Sequence, residues 1–117
     1  MAYLKHSLNG QMISVHELRD RLTIGRKTSC AIRVEDPTVS AEHAEIFPES
    51  GQWWVSDLNS TNGILVNGKK IEKAQLVEGT TIGIGTHEFE FLLVAPDGLD
   101  KTLKIKKSWI PGVYYTE

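Results

Sequence analysis

Three Asn-Gly pairs constrain the fold of this sequence more than any other feature. They are Asn9-Gly10, Asn62-Gly63 and Asn67-Gly68. Asn-Gly favours positive φ at both central residues of a tight turn that joins two antiparallel strands. Between the second and third pairs stands Ile64-Leu65-Val66, a β-favouring run just long enough for one short buried strand. This part of the chain therefore predicts a turn, a strand and a second turn.

Further short runs of apolar or alternating residues predict strands along the rest of the chain. These predicted strands are Tyr3–Ser7, Met12–His16, Arg21–Ile24, Ala31–Val34, His43–Phe47, Trp53–Asp57, Thr80–Ile84 and His87–Val94, with shorter segments at Lys69–Ile71 and Ala74–Leu76. In the last strand, Phe89, Phe91 and Leu93 are predicted to share one face. No stretch of about ten residues shows the helical period of 3.6. Short strands at a spacing of roughly eight to twelve residues, separated by Gly, Asn and Pro turns, indicate an all-β sandwich or barrel.

Composition and charge narrow the class of protein. A chain of 117 residues that is 40% hydrophobic and 24% charged suits one globular domain with its own core. The net charge of −2 argues against general binding of nucleic acid, and no apolar run is long enough to suggest a membrane partner. Cys30 is the only cysteine and has no disulfide partner in the chain, which favours a reducing compartment and a cytoplasmic location.

The composition changes after Pro96-Asp97-Gly98, which is a good turn sequence. Residues 1–95 are predicted to form the domain, and residues 96–117 a C-terminal edge strand followed by a tail or linker. From Leu99 to Trp109, apolar residues alternate with lysines, and lysines on an edge strand discourage further pairing. The domain is expected to be monomeric, whether alone or as part of a larger protein.

Four polar motifs occur in order at loop positions of this β-rich chain. They are Gly25-Arg26, Ser40-Ala41-Glu42-His43, Asn59-Ser60-Thr61-Asn62-Gly63 and Val66-Asn67-Gly68, and Ile82-Gly83 follows downstream. With these residues, the chain from about Leu22 to about Leu93 resembles the forkhead-associated (FHA) domain. The resemblance implies an all-β fold, a β-sandwich of two mostly antiparallel sheets with about eleven short strands of the SMAD/FHA-like type. It also implies that loops at one end of the sandwich bind phosphothreonine peptides.

The same resemblance implies which residues hold the phosphothreonine. Arg26 corresponds to the family's phosphate-binding arginine, and Ser40 and Thr61 occupy its other phosphate-contacting positions. Phosphothreonine carries about −1.5 to −2 charges and three acceptor oxygens. A planar guanidinium can pair with two of these oxygens, and hydroxyl groups add further donors. Asn62 matches the asparagine that holds the peptide main chain beside the phosphothreonine.

Other motif residues are predicted to support this site. The candidate auxiliary positions are Lys27, Ala41 and Ser60. Family members often carry Arg or Asn where this chain has Ala41, so one contact to the phosphate is expected to be lost. The residues predicted to be structural are Gly25, His43, Gly63, Asn67 and Gly68. By resemblance the histidine is a buried brace behind the loops, and the glycines are explained by backbone conformation.

The predicted function is a phosphothreonine-peptide-binding signalling module that recruits partners phosphorylated by Ser/Thr kinases. The alternative is a phospho-independent interaction or dimerisation scaffold with a vestigial phosphate pocket. No cofactor or metal is expected, because the sequence has no Walker loop, zinc-ligand cluster or dinucleotide-binding turn. Ser40, His43 and Asp57 make a poor nucleophile, base and orienter, since Ser40 is not on a nucleophile elbow. No catalytic residue is therefore assigned, and the chain is not expected to be an enzyme.

Overall fold

The computed structural model describes residues 2–94, and every regular element in that range is a β-strand. The strands are β1 (Ala2–Leu8), β2 (Gln11–Leu18), β3 (Leu22–Gly25), β4 (Ile32–Arg33), β5 (Ala44–Glu49), β6 (Gln52–Asp57), β7 (Leu65–Val66), β8 (Lys69–Lys70), β9 (Lys73–Leu76), β10 (Thr81–Ile84) and β11 (His87–Leu92). The predicted all-β class is confirmed. No helix in the described range could span a membrane. The predicted edge strand and tail at 96–117 lie outside the described residues.

The strands form two sheets. The six-stranded sheet has the order β2-β1-β11-β10-β7-β8, and the five-stranded sheet has the order β4-β3-β5-β6-β9. The sheets are mostly antiparallel, as expected, although β3 and β4 pair in parallel. Alternate residues of each sheet, among them Phe89 and Phe91 from one and Ile24, Ile46 and Val55 from the other, are at most 1% exposed and form one core cluster. Burial of each such side chain stabilises the fold by about 1.5–3 kcal/mol.

Two of the three Asn-Gly pairs form the predicted turns. Both residues have positive φ at Asn9-Gly10 (53° and 81°) and at Asn67-Gly68 (52° and 84°), and these turns join β1 to β2 and β7 to β8. The prediction is wrong for Asn62-Gly63, where the glycine alone has positive φ, 76°. The reason is topological: β6 and β7 belong to different sheets, so the chain between them crosses the sandwich instead of closing a hairpin.

Two predictions of burial also need correction. The segment predicted as a buried strand has buried Ile64 and Val66, but Leu65 between them is 46% exposed, since adjacent side chains in a strand point to opposite faces. At the other end of the domain, the phenylalanines of β11 share the core face as predicted. Leu93 does not join them and is 52% exposed, because β11 ends one residue earlier, at Leu92.

Candidate functional site

Two of the predicted site loops meet along their backbones. The loop after β3 donates from Arg26 N to the Ser40 carbonyl at 3.0 Å and from Lys27 N to the Ala41 carbonyl at 3.1 Å. Gly25 makes this approach possible, because a Cβ at that position would lie 2.2 Å from the Ala41 carbonyl oxygen. Gly25 does not have positive φ, so close packing of the loops explains this glycine, and the predicted backbone conformation does not.

His43 connects these loops to the third one, between β6 and β7. Its side chain is fully buried, at 0% exposure. Its Nδ1 accepts from the backbone N–H of Ser40 at 3.0 Å, and its Nε2 lies 2.7 Å from the Gly63 carbonyl oxygen. Because Nδ1 accepts, the neutral ring carries its proton on Nε2 and donates to that carbonyl. The buried His43 imidazole therefore joins the loop before β5 to the loop between β6 and β7.

Ser40 and Thr61 are joined in front of this brace. The backbone N–H of Thr61 donates to Ser40 Oγ at 3.0 Å. A hydroxyl oxygen can accept while its own hydrogen donates elsewhere, so Ser40 keeps a donor for a ligand. Arg26 is exposed, and its guanidinium has no hydrogen bond or ion pair with any of residues 2–94. The loop contacts thus bring Arg26, Ser40 and Thr61 together on one surface and leave it rich in unused donors.

Ser60, a candidate auxiliary residue, uses its hydroxyl inside its own loop. Its Oγ donates to Asp57 Oδ1 and accepts from the backbone N–H of Gly63 at 2.8 Å. The backbone N–H of Ser60 donates to the same carboxylate oxygen at 3.3 Å. These contacts give Ser60 and Asp57 a role in shaping the loop between β6 and β7. Some of the polar side chains in this loop therefore stabilise the loop's own backbone.

The other auxiliary positions lie on the surface beside Arg26. Lys27 and Glu42 are both exposed, with Nζ and Oε2 3.9 Å apart, so the lysine charge is partly offset. Ala41 presents only a methyl group, and its carbonyl also accepts from Cys30 Sγ at 3.3 Å. Burial raises the pKa of the Cys30 thiol. Lys70 brings a further positive charge near the site, because its side chain packs against Gly63.

Asn62 is hydrogen-bonded to Thr38, which in turn contacts Asp36, and neither residue was predicted to belong to the site. Its Nδ2 donates to the Thr38 carbonyl at 2.8 Å, which ties the loop between β6 and β7 to the loop before β5. Thr38 in turn donates from its backbone N and its Oγ1 to Asp36 Oδ1 at 2.8 and 2.6 Å. Its side-chain hydrogen bond is the main cause that lowers the pKa of Asp36 to about 2. The sequence Asp36-Pro37-Thr38 could have indicated this contact, because an Asp side chain often accepts a hydrogen bond from the backbone N–H two residues later.

Asn67 and Gly68 lie in the tight turn between β7 and β8. Asn67 N donates to the Thr81 carbonyl at 2.8 Å, and Asn67 Oδ1 accepts from Thr81 N at 2.9 Å. Positive φ at both turn residues is what a type I′ turn requires. These contacts attach the turn to β10, so both residues stabilise the local backbone.

Neither a metal-binding cluster nor the candidate set Ser40, His43 and Asp57 is assembled within the described residues. Between residues 2 and 94, no three His, Cys, Asp or Glu side chains are grouped so that they could hold a metal ion. Ser40 contacts His43 through its backbone N–H and not through its hydroxyl. The Asp57 carboxylate bonds Ser60 and is not hydrogen-bonded to the imidazole, so these residues lack the geometry of a nucleophile, base and orienter.

The fold and the loop geometry define a known class of interaction domain. Residues 22–85 match the FHA domain family, and this chain belongs to that family. It is 38% identical over 68 residues to the glycogen accumulation regulator GarA of Mycolicibacterium smegmatis, a match that covers 58% of this chain and 43% of GarA. The chain thus spans less than half the length of that relative.

Solved structures agree with this assignment. One, from a structural and functional analysis of phosphothreonine-dependent FHA domain interactions, has a TM-score of 0.71 at 29% identity and covers 81% of this chain and 98% of its own. Mycobacterium tuberculosis EmbR in complex with a low affinity phosphopeptide has a TM-score of 0.72 at 31% identity, covering 81% of this chain and 25% of EmbR. The predicted FHA-type sandwich is confirmed.

Proposed function

We propose that this chain is a phosphothreonine-peptide-binding signalling module that recruits partners phosphorylated by Ser/Thr kinases. The observation that carries the proposal is the loop surface on which Arg26 lies beside the hydrogen-bonded pair Ser40 and Thr61. Its guanidinium has no partner among residues 2–94, so it is available to an external anion. Membership of the FHA family and the likeness to EmbR, whose solved complex contains a phosphopeptide, support the same function.

Each of the four predicted contact residues then has a defined task. Arg26 pairs with two phosphate oxygens, and the hydroxyl groups of Ser40 and Thr61 donate to the phosphate. Asn62 bonds the peptide main chain beside the phosphothreonine. Each hydrogen bond to a charged group contributes about 1.5–3 kcal/mol. Because Ala41 supplies no side-chain contact, we expect dissociation constants in the micromolar range, about −7 to −8 kcal/mol.

Membership of the FHA family also bears on whether the chain is an enzyme. The FHA domain is an interaction module rather than a catalytic fold. We extend this to a binding function without enzymatic activity for residues 1–95. Cys30 is free and buried, which suits a cytoplasmic, reducing environment for the domain. Residues 96–117 are proposed to add an edge strand and a tail or linker.

Calorimetric titration with a degenerate phosphothreonine peptide library tests the proposal, with the matched unmodified library as control. The phosphorylated library should bind in the micromolar range, and the unmodified library should give no measurable heat. A phosphoserine library should bind more weakly, since one methyl group in a small pocket is worth about 1–3 kcal/mol. Equal binding of the phosphorylated and unmodified libraries would contradict the proposal and favour a phospho-independent scaffold.

A further inference from the structure

Asn62 donates to the backbone carbonyl of Thr38, and Thr38 belongs to a set of hydrogen-bonded residues outside the proposed phosphate contacts. We call this set the Asp36 network, and it consists of Asp36, Thr38, Thr86 and His87. Asp36 Oδ1 accepts both the backbone N–H and the hydroxyl of Thr38, at 2.8 and 2.6 Å. Asp36 Oδ2 accepts the hydroxyl of Thr86 at 2.8 Å. One carboxylate therefore joins the loop before β5 to the turn between β10 and β11.

The Asp36 network is anchored to the core through histidines. His87 Nε2 lies 3.4 Å from Asp36 Oδ2, and His87 Nδ1 lies 2.8 Å from His6 Nε2. His6 is buried, and its ring stacks on Phe89 with centroids 4.3 Å apart. Phe89 is fully buried in the core cluster. The carboxylate is thus held from the side of the six-stranded sheet as well as from the loop.

The turn between β10 and β11 also packs directly against the Thr38 side chain. A Cβ at Gly85 would lie 2.3 Å from Thr38 Oγ1 and 3.1 Å from Val39 Cγ2. This packing and the two hydrogen bonds to Asp36 restrain Thr38 through its side chain and its backbone N–H. The Thr38 carbonyl, which accepts from Asn62 Nδ2 at 2.8 Å, therefore has a defined position.

We propose that Asp36 is a positioning residue for peptide recognition, because it holds the Thr38 carbonyl that orients the Asn62 side chain. This inference rests on the proposed function. With one Nδ2 hydrogen bonded to Thr38, Asn62 keeps a second N–H and its Oδ1 for the peptide main chain. A side chain that is already ordered loses less conformational entropy on binding. The lowered pKa of Asp36, about 2, keeps its carboxylate ionised at neutral pH.

A double-mutant cycle on the full chain tests this role. Asp36→Ala should weaken binding of a phosphothreonine peptide by about three- to tenfold, as expected from loss of one ordered side chain. In an Asn62→Ala background, the same substitution should have no further effect, because it acts through Asn62. Binding of inorganic phosphate, followed by NMR, should stay within about twofold, since the phosphate contacts are unchanged.

Three further variants separate positioning from general damage to the loops. Asp36→Asn keeps an oxygen acceptor for Thr38 and should restore most of the affinity. Thr86→Val removes one hydrogen-bond donor to the Asp36 carboxylate and should reduce peptide affinity by a smaller factor. Because Thr86 lies in an exposed turn, this variant can be measured even if Asp36→Ala does not fold. Asp20→Ala is the matched control, because the Asp20 side chain also accepts a backbone N–H, from Arg21 at 2.9 Å, and should leave affinity unchanged.

Results that overturn the positioning role of Asp36 differ from results that overturn phosphothreonine binding. Additive losses for Asp36→Ala and Asn62→Ala, or an equal loss for inorganic phosphate, would overturn the positioning role. An Asp36→Ala protein with unchanged peptide affinity would do the same while leaving the proposed function intact. A wild-type protein that binds phosphorylated and unmodified peptides equally would overturn both.

Discussion

The backbone N–H of Thr61 donates to the side-chain oxygen of Ser40 across a distance of 3.0 Å. This bond joins two loops that are 21 residues apart in the sequence. It uses the hydroxyl oxygen of Ser40 and leaves its hydrogen to donate outward. Ser40 is thus both a link between the loops and a proposed phosphate ligand, and its substitution should affect binding through both roles.

Ser40→Ala should weaken binding of a phosphothreonine peptide at least tenfold. It removes a donor to a charged group, worth about 1.5–3 kcal/mol, and it releases the Thr61 backbone. The melting temperature should fall by only a few degrees, because Thr61 is exposed and its N–H can bond water. Ser56→Ala, in the strand β6, is the control for both calorimetry and melting. Affinity within about twofold of wild type would remove Ser40 from the site.

Arg26→Ala should reduce phosphopeptide affinity by about tenfold or more, since a guanidinium bonded to phosphate contributes at least 1.5–3 kcal/mol. Its melting temperature should match that of wild type, because the guanidinium has no partner among residues 2–94. Arg19→Ala is the control, since Arg19 is 69% exposed and pairs with Glu17. Titration calorimetry and thermal melting of both variants decide. Equal affinity in Arg26→Ala and Arg19→Ala would show that the arginine does not bind the phosphate.

His43→Ala should lower stability before any effect on affinity is considered. It leaves the Ser40 N–H and the Gly63 carbonyl without their partner, at about 1–3 kcal/mol each. For a domain of this size, such a loss corresponds to a fall in melting temperature of roughly 10 °C or more. Calorimetric melting measures it directly. An unchanged melting temperature combined with lost binding would reassign His43 from brace to ligand contact.

Gly25→Ala should destabilise the domain by about 1–3 kcal/mol and also weaken phosphopeptide binding. The added methyl group would meet the backbone carbonyl of Ala41, which cannot move without separating the two loops. Gly83→Ala is a matched control, because that glycine also lacks positive φ and its nearest neighbour is a side-chain atom of Leu65, at 3.3 Å. Chemical denaturation should show a clearly larger loss at position 25. Similar losses in the two variants would contradict the close-packing explanation.

Stability should decrease as the pH falls from about 6.5 to about 4. Burial, followed by the charges of His87 and His16, lowers the pKa of His6 from 6.5 to about 4 in the folded protein. The unfolded chain therefore binds more protons in this range, so the stabilisation present above pH 6.5 is lost as the folded pKa is approached. The full effect is about 3 kcal/mol.

The variant His6→Gln should flatten this part of the profile in denaturation experiments at a series of pH values. The lowered pKa of Asp36 acts in the same direction but at lower pH, between its ordinary value of 3.8 and about 2. The two groups can therefore be separated by the pH at which stability changes. An identical pH profile for wild type and His6→Gln would exclude His6 as the cause.

Local patterns predicted much of the strand arrangement. The turns at Asn9-Gly10 and Asn67-Gly68 follow from the backbone preferences of those residues, and the alternation in β11 placed Phe89 and Phe91 on the core face. These preferences act over a few residues and can be read without knowledge of the rest of the chain. The order of the loop motifs was also sufficient to indicate the family, which the comparisons confirmed.

Contacts between distant residues depend on how the two sheets stack. The sequence around Asn62-Gly63 predicted a hairpin, but assignment of β6 and β7 to different sheets made it a crossing loop. Gly25 is required because the Ala41 carbonyl packs against it. Asp36 accepts a hydrogen bond from Thr86, which is 50 residues away in the sequence. Local sequence preferences set the direction of the chain at each turn. The distances between loops, and hence the setting of Asn62, depend on packing of the whole sandwich, because residues far apart in the chain meet only after the core has formed.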